Sequence, residues 1–194
     1  MKSRTFLAMA VAMLLGWVTA AVAATPDANQ PTAAGLWEQS MNGRVGAWFF
    51  IFEQDDVYYG AMVKMFPRPG DDPNPICTAC QGDQKNQPSL GLIMIKGMQR
   101  NGRMYQNGTI LDPRDGNVYN AQMEVTSDGQ KLRLRGYVGV PLFGATQVWK
   151  RLPLEALSPA DVPENLAQYW PAQPETPSKP DKVKPKSPKT AAKP

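Results

Sequence analysis

The chain consists of short runs of β-favouring residues separated by turn sequences, and this pattern constrains its fold more than any other feature. The clearest run is Lys131–Val138, in which Leu132 and Leu134 share one face and basic residues share the other. Seven or eight such runs succeed one another at spacings of roughly 8–12 residues, which is typical of a sandwich or a barrel. No long segment with the apolar spacing of an α-helix interrupts them. The sequence therefore predicts one all-β domain over residues 35–152.

The predicted strands begin with an aromatic-rich hairpin. Arg44–Glu53 is followed by the turn Gln54–Asp56 and by a partner strand, Val57–Phe66. A long polar loop with five prolines, Pro67–Pro88, comes next. Further strands are predicted at Leu90–Met98, Arg103–Leu111, Asn117–Thr126 and Ala145–Arg151, with Lys131–Val138 before the last of these.

The N-terminus has the three parts of a secretory signal peptide. Lys2 and Arg4 precede an apolar run, and Ala21–Ala23 supplies the small-x-small pattern of a cleavage site. We therefore expect residues 1–23 to be removed on export to the periplasm or the medium, and residues 24–34 to be a flexible lead-in. The alternative is an uncleaved anchor, because the apolar run is nearly long enough to span a bilayer. No later run reaches transmembrane length.

Two segments follow the predicted domain. Residues 153–170 form a C-terminal extension in which Ser158 and Pro159 resemble the start of a short helix. Residues 171–194 are rich in Lys and Pro and are predicted to be disordered. This tail carries six lysines and two acidic residues, whereas residues 24–170 carry 13 basic and 15 acidic residues. The domain itself is therefore nearly neutral, and we expect no nucleic-acid partner. The tail either contacts an anionic component of the envelope or is a solvated extension.

The chain contains no histidine, which removes the commonest catalytic and zinc-binding side chain. Asp83, Asp112 and Asp115 are the carboxylates available for acid–base chemistry. However, Asp112–Gly116 has the composition of an ordinary turn, with Asp first, Pro second and Gly last. We therefore assign no catalytic residue, no metal site and no cofactor, and expect a protein that is not an enzyme.

Cys77 and Cys80 form a Cys-x-x-Cys pair within the Pro-rich loop. A redox-active pair normally lies at a helix N-terminus, which the strand pattern does not provide here. We expect a disulfide that staples the loop. The alternatives are a redox-active pair and a metal half-site with Asp71, Asp72 or Asp83.

Several motifs together resemble one family of exported bacterial proteins. They are Gly35-Leu36-Trp37, Cys77-Thr78-Ala79-Cys80 with Gly82-Asp83-Gln84-Lys85, Gly91-Leu92-Ile93-Met94, Gly108-Thr109-Ile110-Leu111-Asp112-Pro113 with Gly116 and Tyr119, Leu134–Gly144, Thr146-Gln147 and Trp149-Lys150-Arg151. In this order they resemble domain-of-unknown-function family 2147, over about residues 35–151. The resemblance implies a small antiparallel up-and-down barrel of about eight strands, similar to a lipocalin or calycin, and it implies no assigned reaction.

Two residues fit the structural roles found in lipocalin-type barrels. Trp37 opens the first strand within Gly-x-Trp, and Arg151 closes the last strand. A guanidinium prefers the planar face of an aromatic ring, so we expect Arg151 to stack on Trp37.

The leading functional hypothesis is a periplasmic, lipocalin-like protein that binds a small apolar or amphipathic ligand at the barrel mouth. Its candidate ligand-binding residues come from the aromatic runs and from the basic face of Lys131–Val138. The alternative is that the aromatic side chains only fill the interior of a narrow barrel and that the basic face is exposed to solvent. The runner-up is a structural or interaction module of the cell envelope that uses the basic tail. The candidate ligand-binding residues are Trp48, Phe50, Tyr58, Tyr119, Arg135 and Trp149.

Overall fold

Eight antiparallel strands close into a single barrel in the computed structural model, which describes residues 30–171. Each strand pairs with its neighbours in the sequence, and β1 pairs with β8 to complete the ring. The all-β, up-and-down barrel predicted from the sequence is therefore confirmed. The strands are β1 Gly35–Met41, β2 Arg44–Gln54, β3 Val57–Met65, β4 Ile93–Asn101, β5 Met104–Leu111, β6 Val118–Val125, β7 Lys131–Tyr137 and β8 Gly144–Leu152.

The aromatic strand β2 is apolar on both faces. Phe49 and Ile51 point into the barrel and belong to the interior core. Phe50 and Phe52 point outward, where they join a second apolar cluster on the outside of the barrel. Because both faces of this strand are covered, it is a nearly continuous apolar run in the sequence.

The C-terminal extension covers this outer face. It consists of three 3-10 turns, Leu154–Ala156, Pro159–Asp161 and Glu164–Tyr169. Leu157 and Leu166, from this segment, are almost fully buried against the barrel. The short helix that the sequence suggested is therefore present only as 3-10 turns. The Ser158 hydroxyl caps the second of them by accepting from the backbone N–H of Ala160.

One end of the barrel is closed by residues 30–34, which we call the N-terminal plug. Ala33 in the plug is fully buried. Its backbone N–H donates to the hydroxyl of Tyr105 at 2.8 Å, and its carbonyl accepts from the indole N–H of Trp37 at 2.8 Å. The guanidinium of Arg151 donates to the carbonyls of Thr32 and Ala34. The flexible lead-in expected at residues 24–34 is thus wrong for residues 30–34, because buried polar partners hold this segment.

Other sequence expectations concern segments beyond the described residues. The signal peptide 1–23, the rest of the lead-in and the tail from residue 172 onward all lie there. Within residues 30–171, no helix is long and apolar enough to cross a membrane.

Candidate functional site

A cavity of about 830 Å³ occupies the barrel at the end opposite the N-terminal plug. We call this end the mouth; it is formed by the end of β1 and by the loops β3–β4, β5–β6 and β7–β8. Two interior positions on β8, Ala145 and Gln147, line the cavity and are nevertheless exposed. Side chains that point inward but remain accessible show that the mouth half of the barrel is open space.

The deep wall of the cavity is apolar and aromatic. Phe49 and Trp149 stack with their ring centroids 4.4 Å apart and their planes 17° apart. Both rings are almost completely buried, so they form the floor that separates the cavity from the packed half of the barrel. The other apolar residues of the wall are Ala47, Met62, Met94, Ile110, Leu111 and Leu134.

A group of uncharged polar side chains interrupts this apolar wall. The indole N–H of Trp149 donates to Oε1 of Gln147 at 3.0 Å, and Nε2 of Gln39 lies 3.4 Å from the same oxygen. An indole nitrogen can only donate, so the Gln147 atom that faces it is the oxygen. The amide NH₂ of Gln147 therefore remains as a hydrogen-bond donor in the cavity wall.

The mouth carries one close ion pair on the β5–β6 turn. Arg114 bonds to the carboxylate of Asp112 through Nε, at 2.9 Å from Oδ1, and through Nη2. This hydrogen bonding by the guanidinium lowers the pKa of the Asp112 carboxyl. Both residues line the cavity, and Arg114 is largely exposed to solvent. The mouth therefore presents a charged, hydrated edge above an apolar interior.

The disulfide supports this side of the mouth. Cys77 and Cys80 are bonded and fully buried, which confirms the staple predicted from the sequence. Sγ of Cys77 lies 3.3 Å from the carbonyl oxygen of Pro113, which lines the cavity. Gly116 lies so close to the Ala79 carbonyl that a Cβ there would overlap with it. The disulfide-bonded loop therefore packs against the turn that carries Asp112 and supports it.

The structure brings two of the six predicted ligand-binding residues to the cavity. Trp149 forms part of the floor, and Tyr119 lies at the mouth, where its hydroxyl is 3.4 Å from Oδ2 of Asp115. The stacking predicted for Trp37 and Arg151 is also present, with Cζ of Arg151 4.1 Å from the ring centroid, at the closed end.

The other four predicted residues do not line the cavity. Trp48 and Phe50 point outward from β2, where Trp48 packs on Phe66 and Phe50 on the C-terminal extension. Tyr58 points inward but lies in the packed half of the barrel, edge-on to Tyr105.

Arg135, the fourth of these, lies on the outer face of β7. It donates to the carbonyls of Pro141 and Leu142 and to the hydroxyl of Thr146. The basic face of β7 therefore does not line the cavity, because β7 directs Leu132 and Leu134 inward.

Several residues that line the cavity were not predicted from the sequence. The alternation of side chains along β8 would have identified those on that strand. Because Arg151 stacks on Trp37 inside the barrel, counting back by two along β8 identifies Trp149, Gln147 and Ala145 as inward-facing. The loop residues at the mouth carry no comparable periodicity. Among the described residues, no group of three or more acidic or Cys side chains is arranged to hold a metal ion.

The architecture defines the class of protein. An eight-stranded antiparallel barrel that is closed at one end and open at the other is a lipocalin-like fold. In agreement with this, the structure is similar to that of protein HP1028 of Helicobacter pylori, which is described as belonging to the lipocalin family. The TM-score is 0.56 at 18% sequence identity, and the similarity covers 65% of this chain and 86% of that one.

Within this class, the family can be stated directly. The chain belongs to the family described as "uncharacterized protein conserved in bacteria" (DUF2147), whose model matches residues 35–151. The match covers the barrel from the first residue of β1 to the stacked arginine of β8. No curated protein matches the chain.

Proposed function

We propose that this protein is a non-enzymatic, exported binding protein that takes a small apolar or amphipathic ligand through the barrel mouth. The observation that carries the proposal is the cavity of about 830 Å³ with its apolar floor and open end. Cavities of a few hundred to a thousand Å³ with mainly apolar walls and few polar groups are typical of small-molecule sites.

The positions of the polar groups around the cavity indicate which parts of the ligand are apolar, polar or charged. An apolar body fits against Phe49, Met94 and Leu134. A carbonyl or hydroxyl on that body can accept a hydrogen bond from the free NH₂ of Gln147. A charged or strongly hydrated end would remain at the mouth, beside Arg114, where it keeps its contact with water.

The state of the cavity carboxylate supports a binding role without catalysis. A general acid needs a pKa that is raised toward neutrality. Arg114 instead lowers the pKa of Asp112, so this carboxylate stays charged and occupied by its partner.

Export is supported by two independent features. The first is the signal-peptide pattern of residues 1–23. The second is the buried disulfide between Cys77 and Cys80, a bond that persists in oxidising compartments. We therefore propose that the protein functions in the periplasm or outside the cell.

The binding proposal is tested by filling the cavity. Ala145→Trp directs a large ring into the cavity, whereas Val148→Trp adds the same ring to the outer face of the same strand. With the amphipathic fluorophore 1-anilinonaphthalene-8-sulfonate as probe, we expect Ala145→Trp to weaken binding about tenfold or more and Val148→Trp to leave it unchanged. Equal binding by both variants would contradict the proposal.

A second measurement looks for the natural ligand. Native mass spectrometry of protein purified from its own periplasm reports the processed N-terminus, the disulfide and any bound molecule together. We expect a co-purifying apolar or amphipathic molecule that is lost in Ala145→Trp. A chain that retains residues 1–23 would contradict the proposed processing.

A further inference from the structure

Three polar side chains form a hydrogen-bonded row at the floor of the cavity. They are Gln39, Gln147 and Trp149, and we call them the polar row. Gln147 lies on β8 one inward position nearer the mouth than Trp149, and Gln39 of β1 pairs with Trp149 across the seam of the barrel. Oε1 of Gln147 accepts from the indole N–H of Trp149 at 3.0 Å and lies 3.4 Å from Nε2 of Gln39.

The orientation of the Gln147 amide is fixed by the packed floor below it. Trp149 is only 2% exposed, and its ring stacks on Phe49 with the centroids 4.4 Å apart. An indole nitrogen donates hydrogen bonds and does not accept them, so the amide keeps its oxygen toward Trp149. The NH₂ group at the other end of the amide is therefore the part of Gln147 that a ligand meets.

The polar row offers a donor to the cavity and keeps its acceptors occupied. The oxygen of an amide has two lone pairs, and in Gln147 they face the donors of Trp149 and Gln39. Oε1 of Gln39 lies against β2, where a Cβ at Gly46 would approach it to 2.7 Å. The NH₂ group of Gln147 has no acceptor among the residues that the structure describes.

The charged groups of the cavity lie at the mouth, away from the polar row. Asp112 and Arg114 are the only charged side chains among the described residues that line the cavity, and they bond to each other. An anion at the floor would therefore be buried without a counter-ion, which costs far more free energy than burying an uncharged polar group. The floor accordingly suits an uncharged group.

We propose that the ligand carries an uncharged carbonyl group, as in a ketone, an ester or an amide, and that Gln147 selects it by donating from its NH₂ group to the carbonyl oxygen. A carbonyl only accepts, so it matches a position that only donates, whereas a hydroxyl would leave its own O–H without an acceptor. Trp149 is a positioning residue, because it orients the amide and does not itself donate to the ligand. The inference rests on the proposed function and narrows the class of ligand.

The test compares two compounds of nearly equal size, 2-acetylnaphthalene and 1-(2-naphthyl)ethanol, which differ in carrying a carbonyl or a hydroxyl. Their dissociation constants are measured by displacement of 1-anilinonaphthalene-8-sulfonate from the processed protein. We expect the wild type to bind the ketone about fivefold more tightly than the alcohol, because a buried donor without an acceptor is costly.

Gln147→Glu should reverse this preference. A carboxylate still accepts from Trp149, but it has no donor for a ketone and accepts instead from the O–H of the alcohol. We expect the ratio of the two dissociation constants to change about tenfold in favour of the alcohol. Gln106→Glu is the matched control, because it makes the same change at an exposed position of β5 outside the cavity and should keep the wild-type ratio. Near-ultraviolet circular dichroism checks the fold of both variants.

Trp149→Phe tests the positioning role. The variant keeps an aromatic ring on Phe49 and removes the indole N–H, so the Gln147 amide can rotate and present either end. The two compounds should then bind almost equally, and the carbonyl stretching band of the bound ketone should move to higher wavenumber as its hydrogen bond weakens. If Trp149 only supported the fold, the variant would weaken both compounds alike and leave their ratio unchanged.

The results that would overturn the inference differ from those that would overturn the proposed function. Equal binding of the two compounds to the wild type, or the same ratio in Gln147→Glu and Gln106→Glu, would show that the cavity binds ligands without selecting a carbonyl through Gln147. Displacement of the fluorophore by neither compound would also overturn the inference. The comparison of Ala145→Trp with Val148→Trp then decides separately whether the cavity is a binding site.

Discussion

Single side chains in the packed half of the barrel show how burial controls ionisation. Tyr58 lies inside the barrel with only 2% of its surface exposed, edge-on to Tyr105 at a centroid distance of 4.8 Å. This burial raises the pKa of Tyr58 from 10.0 to about 12, because a phenolate has no water to solvate it there.

The shift predicts a specific loss of stability in alkali. Since the pKa of Tyr58 is higher in the folded state than in the unfolded chain, its contribution to stability is complete below about pH 10 and is lost as pH rises through about 12. We expect Tyr58→Phe to flatten the fall of the urea midpoint over this range. Tyr59→Phe, on the outer face of the same strand, is the matched control. An equal flattening in both variants would refute this explanation.

Residue positions were only partly predictable from the sequence, for a physical reason. Alternation indicates which side chains of a strand share a face, but it does not indicate which face is inside when both are covered. In β2 the C-terminal extension buries Phe50 as completely as the interior buries Ile51. Trp48 and Phe50, predicted as ligand-binding residues, therefore lie on the outer face, whereas the stacking of Arg151 on Trp37 was predicted correctly because each has a specific partner.

At the scale of elements, the stapled loop and the β5–β6 turn form one unit. The buried disulfide bonds two residues of the loop, and the backbone of Cys77 exchanges hydrogen bonds with Asn86 and Gln87. This ordered loop packs directly on Gly116, where there is no space for a side chain. The mouth wall is therefore fixed by a contact between two backbones.

Gly116→Ala should break this contact. The residue has φ of +73°, which an L side chain rarely adopts, and the new methyl group would overlap with the Ala79 carbonyl. Gly139→Ala is the matched control, since its φ is +68° with no neighbour within 4 Å. We expect about 1–2 kcal/mol of destabilisation for the control and about 3 kcal/mol or more for Gly116→Ala. Urea unfolding followed by tryptophan fluorescence measures both; similar values would show that backbone conformation alone sets the cost.

Strands were the most predictable elements, because alternation and turn residues both mark them. The predicted run Lys131–Val138 differs from β7 by one residue. The predicted run Leu90–Met98 begins three residues before β4, although Gly91 and Leu92 already form backbone hydrogen bonds with Met62 of β3. The C-terminal extension was less predictable, because its 3-10 turns depend on packing against the barrel.

At the scale of the molecule, Arg151 connects three parts of the closed end of the barrel. It stacks on Trp37 of β1 and donates to the carbonyls of Gly129 in the β6–β7 turn and of Thr32 and Ala34 in the N-terminal plug. Burial lowers the pKa of its guanidinium, which nevertheless stays protonated, and these carbonyls accept hydrogen bonds from its buried N–H groups.

Arg151→Lys keeps the charge but cannot reach the same acceptors, because an ammonium lacks the planar fork of donors. We expect a loss of about 2–3 kcal/mol in the free energy of unfolding. Arg133→Lys, at the exposed ion pair with Glu124, is the matched control and should change it by less than about 0.5 kcal/mol. Equal urea midpoints for the two variants would show that the closed end does not depend on the guanidinium.

The pairing of β1 with β8 also has a consequence for how the chain is made. Arg151 and Ala34, joined across that seam, are 117 positions apart. Until β8 has been made, β1 is paired only with β2, and the growing sheet has an unpaired edge at each end. Such strands readily pair with other chains, and closing so long a loop is slow. The newly made chain therefore passes through an interval in which it needs protection from other chains, and that interval ends only when β1 pairs with β8.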